Sequence, residues 1–179
     1  MAAIHFVVTS LLWLYQVVLL LRLLMQWVRA DFRNPLARAI VQLTDPLILP
    51  LRKILPPIRR IDTASVVAIL AVTAVKVLVG QLLLFSGFST PELLLRELLI
   101  ETLDLVLVTY LFVIFLNAIL SFVAPENYSP AQSLLNSICE PVLRPIRRHI
   151  PSVAGLDLSP LWALIAIQAL RILIHTYGS

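Results

Sequence analysis

The sequence predicts an all-α membrane protein with about four transmembrane helices in two tandem parallel helix-loop-helix repeats, each repeat carrying a cytoplasmic proline-kinked amphipathic helix. Three observations lead there. The chain contains four long apolar runs. Its charged residues, 13% against 60% hydrophobic, are gathered into the stretches between those runs instead of covering a water-facing surface. The pattern of the first half also returns in the second.

A spanning helix needs about 20 mostly apolar residues, because each adds about 1.5 Å across a hydrocarbon core of about 30 Å. Ile4 to Val28, Ala64 to Phe85, Leu103 to Val123 and Pro160 to Tyr177 meet that requirement. The first run is too long for a cleavable signal, and neither a basic n-region nor an A-x-A site flanks it, so it is expected to remain a membrane helix. The third is expected to begin early, since Thr90-Pro91-Glu92 reads as a cap, a proline at the first helical position and an acid in the first turn. Glu92, Arg96, Glu97 and Glu101 then lie at the interface.

Basic residues set the expected orientation. The first loop holds Arg29, Arg33, Arg38, Arg52, Lys53, Arg59 and Arg60, the third holds Arg144, Arg147 and Arg148, and the second holds only Arg96. Loops one and three are therefore expected in the cytoplasm, with both termini outside. The net charge of +4 resides in those loops and points to anionic lipid head groups. No basic platform interleaved with aromatics supports a nucleic-acid partner.

An ungapped shift of 95 positions aligns Tyr15 with Tyr110, Arg22 with Asn117, Pro35 with Pro130, Pro46 with Pro141, Pro50 with Pro145, Arg52 with Arg147, Asp62 with Asp157 and Lys76 with Arg171. A register held that long points to duplication, with residues 1–88 and 89–179 as the two copies. An even number of spans per copy makes the copies parallel, related by an axis along the membrane normal.

Within the loops, Leu36, Ile40, Leu43, Leu47, Leu51 and Ile54 recur three and four apart, as do Leu135, Ile138, Val142, Ile146 and Ile150. Segments Pro35 to Leu55 and Pro130 to Ile150 are expected to be amphipathic helices in the head-group region, apolar face down. In each, Asp45-Pro46 or Glu140-Pro141 reads as a helix start. Pro50 or Pro145 then removes a backbone donor, so the helices are expected to break near Pro46 and Pro141.

The duplicated pattern D/E-P-x-x-x-P-[IL]-R-[RK]-x-[IL]-P runs from Asp45 to Pro56 and from Glu140 to Pro151. With the Tyr15-to-Arg22 spacing, Asn34-Pro35 and Ile61-Asp62, it resembles the YggT family of small bacterial and plastid membrane proteins, also called YlmG-like, over nearly the whole chain. The resemblance implies a multi-pass protein of the inner membrane with no established enzymatic activity. Members are linked to osmotic-stress tolerance, to cell division and envelope organisation, and in chloroplasts to maturation of a membrane cytochrome's haem. The expectation is therefore a non-enzymatic interaction or assembly factor with an unidentified membrane protein partner. Its rival is a small channel or transport component in osmotic or ionic stress, which needs a homo-oligomer because four spans leave little room for a pore.

Candidate contact residues for lipid or partner are Arg52, Lys53, Arg147 and Arg148, with Pro46, Pro50, Pro141 and Pro145 shaping the surface; the plainer alternative is that the cations only fix topology. Arg22, Lys76, Asp104 and Arg171 form a second set, because ionisable groups inside apolar spans are site candidates by default. Lys76 and Arg171 lie roughly 17 to 18 Å beyond their helix starts. At least one is expected to pair with Asp104 or Glu101, while the other snorkels.

The single cysteine, Cys139, allows no intrachain disulfide and reads as a buried small hydrophobe. His5, His149 and His175 invite a haem reading, but only His5 and His175 share a level, and no cofactor or metal is expected. No metal-protease, phosphate-loop or nucleophile-elbow motif is present, so an enzyme is not expected.

Overall fold

Each apolar run bounded by prolines and capping residues folds as a helix. The computed structural model describes residues 2–58, 62–84, 90–123, 129–149 and 157–178. Its helices are α1 (Ala2–Trp27), α2 (Pro35–Ile54), α3 (Thr63–Leu84), α4 (Pro91–Val123), α5 (Pro130–His149) and α6 (Ser159–Gly178). No strand occurs among the described residues. Helices α1, α3, α4 and α6 are long and apolar enough to cross a membrane, and the protein is a multi-pass membrane protein. Arg59, Arg60, Ile61, Phe85, Ile150, Pro151 and the expected boundary between residues 88 and 89 lie outside the described residues.

The element ends follow local chemistry. Helix α1 stops in a Schellman turn: Arg29 takes the left-handed conformation at φ 55°, its N–H reaches the Gln26 carbonyl at 3.3 Å, and the Ala30 N–H reaches the Met25 carbonyl at 2.9 Å. Helix α2 starts at Pro35, with the Asn34 side chain accepting from the Leu36 N–H at 2.9 Å. Asn34 also donates to the Pro130 carbonyl at 2.6 Å, tying the start of α2 to the start of α5. Helix α4 begins at Pro91, as the sequence suggests, and its 33 residues span about 50 Å. That exceeds the hydrocarbon core, so an end of α4 must project beyond it.

Helix α1 packs on α3, α4 on α6, and α1 meets α4 between the halves. Helix α2 lies against α1 and α3, α5 lies against α4 and α6, and α2 and α5 touch each other. Leu19, Met25, Ile48, Ile114, Ile138 and Leu143 fill the core. Association in lipid relies on close packing and polar contacts, because lipid tails are as apolar as leucine. Buried Ala64, Ala68 and Ala163 permit the close approach.

The expected breaks in the loop helices do not occur. Helix α2 runs uninterrupted through Pro46 and Pro50, and α5 through Pro141 and Pro145. An interior proline removes a hydrogen bond and costs about 3 kcal/mol, but here all four rings lie on exposed faces. Opposite them, burial of Ala37, Thr44 and Ile48 in α2, and of Leu134, Ile138 and Leu143 in α5, anchors each helix along its length.

Midway along α1 and α3, Gln16 donates to the Thr73 hydroxyl at 2.6 Å, both residues being buried, and Thr73 donates on to the Ile69 carbonyl at 2.8 Å. Thr73→Val should therefore lower the stability of detergent-solubilised protein by about 1 kcal/mol. Adding Gln16→Leu should recover part of that, because no orphaned amide remains. Thermal unfolding of both variants checks this; a Thr73→Val midpoint equal to that of the parent contradicts it.

Candidate functional site

The loop helices carry the duplicated motif, and three sets of ion pairs hold them and the spans in place. The first lies between α1 and α2. Arg22 is 4% exposed, and its Nη1 donates to Thr44 Oγ1 at 2.6 Å, Asp45 Oδ1 at 2.7 Å and the Val41 carbonyl at 3.1 Å. The Thr44 hydroxyl in turn donates to the Ile40 carbonyl at 2.7 Å. The intramembrane arginine thus clamps the α2 turn that precedes Pro46.

The second set joins each loop helix to the following span. Arg52 reaches Asp62 with two nitrogens, Nε to Oδ1 at 3.3 Å and Nη2 to Oδ2, and Nη2 also reaches Gln26 Oε1 at 3.3 Å. Asp62 is fully buried and accepts from Ser65 Oγ at 2.8 Å. Burial pushes the Asp62 carboxyl up, but hydrogen bonds from Arg52 and Ser65 and the charges of Arg52 and Arg22 outweigh it and hold the group below the usual carboxylate range. In the second half, Arg147 Nε donates to Asp157 Oδ2 at 2.8 Å and its Nη1 to Glu140 Oε2 at 3.2 Å. Asp157 accepts from the Ser159 N–H at 2.9 Å. Burial raises its carboxyl, and Ser159 and Arg147 together bring it below the ordinary value.

Two of the four expected contact cations, Arg52 and Arg147, are therefore engaged within the chain. Lys53 and Arg148 are exposed, as is Arg144, and none of the three has a partner among the described residues. Pro46, Pro50, Pro141 and Pro145 are exposed beside them. Sequence reasoning missed the two motif pairs, although the signal was present: an acid stands ten residues after the arginine in each half, at positions aligned by the 95-residue shift.

The third set lies in the spans. Lys76 Nζ meets Glu101 Oε2 at 2.5 Å, and Arg171 Nε meets Asp104 Oδ1 at 2.8 Å. His175 Nε2 also lies 3.0 Å from Asp104 Oδ1. The expectation that one cation pairs and the other snorkels is thus corrected, because both pair. Glu101 and Asp104 sit three residues apart on α4, one facing α3 and the other α6, so a single helix serves both.

Cys139 is buried, and burial pushes its thiol up to about 12 against the opposing pull of Arg147, which leaves it unreactive at neutral pH. His149 turns its Nδ1 to the Pro145 carbonyl at 2.8 Å, His5 lies beside Gly80, and His175 is engaged with Asp104. No group of three or more metal-ligating side chains comes together among the described residues.

Two outcomes follow from these pairs. Ionised Asp62 and Asp157 hold their protons less tightly when folded than when unfolded, so they stabilise the fold above the ordinary value of 3.8 and that contribution is lost as pH falls below it. Asp62→Asn should cost about 1 to 3 kcal/mol at pH 7, because Arg52 is only partly shielded, and should flatten the acid side of a stability-versus-pH curve. An unchanged curve would contradict the pairing. Asp104→Ala should likewise lower the unfolding midpoint clearly, and adding Arg171→Leu should restore part of it; a silent Asp104→Ala would show the pair to be ornamental.

Comparison with known proteins agrees with this architecture. The family model described as CCB3/YggT matches residues 1–83 and 97–177. The Pseudomonas aeruginosa protein named "Uncharacterized protein PA0392" is 40% identical, over 90% of this chain and 82% of its own length. The Escherichia coli K12 protein named "Uncharacterized protein YggT" is 33% identical, over 96% of this chain and 88% of its own. A Vibrio alginolyticus protein named for the proC 3' region is 38% identical, over 94% and 91% respectively. No solved structure matches. On the family match across both halves and on these relatives, the chain belongs to the CCB3/YggT family.

Proposed function

We propose that the protein is a non-enzymatic interaction or assembly factor of the inner membrane, acting in envelope organisation, division or maturation of a membrane complex. Its contact surface is the outer face of α2 and α5, two amphipathic helices lying along the cytoplasmic leaflet. Duplication of the two halves is supported by α5 beginning 95 residues after α2, by the 20-residue length of both helices, and by the family model matching a segment in each half.

One observation carries this reading. Each copy of the motif is divided between one arginine fastened to an acid ahead of the next span, Arg52 to Asp62 and Arg147 to Asp157, and outward groups with no partner among the described residues. The fastened arginine ties the helix to that span. The outward groups, Lys53 on α2 and Arg144 and Arg148 on α5 with the exposed prolines, give each helix its own basic patch, each cation being worth about 1 kcal/mol near an anionic leaflet. Such patches suit head groups and an acidic segment of a membrane protein partner.

A channel or transport component in osmotic or ionic stress is the second reading. It draws on the charges inside the spans, but Arg22, Lys76 and Arg171 are all held by carboxylates, which suits structural cross-links better than a conducting path. Flux in reconstituted liposomes that disappears with Lys76→Gln would promote it.

Two measurements test the leading reading. In a Cys139→Ser background, Lys53→Cys should react with a membrane-impermeant reagent only from the cytoplasm, and Thr90→Cys only from outside; the reverse pattern inverts the orientation. Photo-crosslinkers placed at Lys53 and Arg148 should capture one reproducible membrane protein partner. Intact membrane-inserted protein that yields none would refute the assembly role.

A further inference from the structure

Between the halves, α1, α2, α4 and α5 surround an apolar groove of about 680 Å³, a size typical of small-molecule sites. Its walls follow the 95-residue correspondence: Leu21 faces it with Leu116, Ile40 with Leu135, and Leu43 with Ile138. The groove is therefore built where the halves meet.

Its depth identifies what fits. Along α4 the lining runs from Thr109 to Leu120, about 16 Å at helical rise. Half of a hydrocarbon core is about 15 Å. The groove starts at the interfacial helices α2 and α5 and ends near mid-bilayer, so its length matches one leaflet. Apart from the Thr109 hydroxyl and the Trp13 indole, its lining offers no side-chain group that could orient a polar ligand.

Charge beside the groove is concentrated in one turn. Arg29 and Arg33 are exposed between α1 and α2, ahead of the lining residue Leu36, and no described residue partners their side chains. Asn34 in the same turn donates to the Pro130 carbonyl, beside the lining residue Ala131, so the turn adjoins both loop helices where they enter the groove wall. Asp31, the only acid in that turn, accepts the Arg33 backbone N–H at 2.8 Å. The corresponding positions in the second half are Ala124 and Tyr128. Arg29 moreover occupies the left-handed Schellman position that favours glycine.

We infer that this groove binds one anionic phospholipid of the leaflet that carries α2 and α5, with an acyl chain between the halves and the phosphate at Arg29 and Arg33. The inference rests on the interfacial placement of α2 proposed above and needs no protein partner.

Trp13 lines the groove and makes an edge-to-face contact with Phe112, 6.5 Å between ring centres, so it reports occupancy directly. A chain with Trp27→Phe and Trp162→Phe is reconstituted into phosphatidylcholine vesicles containing a minor fraction of acyl-brominated phosphatidylglycerol, or of brominated phosphatidylcholine as reference. Trp13 quenching by the anionic lipid should exceed the reference severalfold and fall to it in Arg29→Gln/Arg33→Gln. A second variant, Ala39→Phe, fills the groove and should abolish the excess with the arginines intact; native mass spectrometry of both variants should show loss of one retained phosphatidylglycerol. Equal quenching by the two lipids in the parent chain overturns the site. It leaves the surface placement of α2 standing, because cysteine labelling at Lys53 reads that placement independently.

Discussion

A bilayer core offers no water to a stranded polar group, and the rest of this structure depends on that constraint. Arg22 is the clearest case. An arginine this deep in an apolar helix is tolerable only if its charge and donors are met, and α2 meets them with Asp45, the Thr44 hydroxyl and the Val41 carbonyl. The requirement determines where α2 must lie, namely close enough to α1 for a side chain of that length to reach its backbone. Thr9, Thr73 and Thr102 satisfy the same constraint locally, each returning a hydroxyl to the carbonyl four residues back, whereas the buried Thr109 hydroxyl finds no partner among the described residues.

The motif then becomes intelligible as mechanics. A helix interrupted twice by proline is a poor helix on its own, lacking two backbone donors within five residues. Arg22 grips its middle and Arg52 fastens its end to Asp62, so the helix is stabilised from outside rather than by its own ladder. The prolines deny that face a regular backbone surface and keep it clear, and the remaining cations stand beside them. Arginine suits the fastening role because its planar fork engages Asp62 and Gln26 together, which a lysine ammonium does less well.

Hydrophobic run length and the 95-residue register made most of the fold legible: the bounds of α2 and α5 fall within a residue of those expected, and α4 starts where Thr90-Pro91-Glu92 placed it. Partner choice was less legible. Lys76 and Arg171 were recognisable as buried cations and their acids were named, but the sequence could not show that α4 turns Glu101 to one neighbour and Asp104 to another, because that depends on how three helices are rotated. Arg52 and Arg147 were read as wholly outward because a basic residue on an interfacial helix normally faces head groups. The acids that capture them lie across a turn whose path periodicity does not report. The expected breaks at proline failed for a related reason: propensity describes an isolated helix, and tertiary contacts override it.

The halves share a plan but differ in how their loop helices are held. Where the first has Arg22, Thr44 and Asp45, the second has Asn117, Cys139 and Glu140. Asn117 is buried with its Oδ1 unpartnered among the described residues, an omission worth about 1 to 3 kcal/mol. Cys139 supplies no hydroxyl to take a donated proton, and Glu140 turns to Arg147 instead of to the span. The contact of α5 with α4 therefore lacks the ionic clamp that α2 has, and the Arg147 pairs are open to solvent where Asp62 is sealed. Local stability in a protein follows the density of such contacts. The first half is accordingly the one held by ionic contacts, whereas α5 keeps its place chiefly through the burial of Leu134, Ile138, Cys139 and Leu143 against its neighbours.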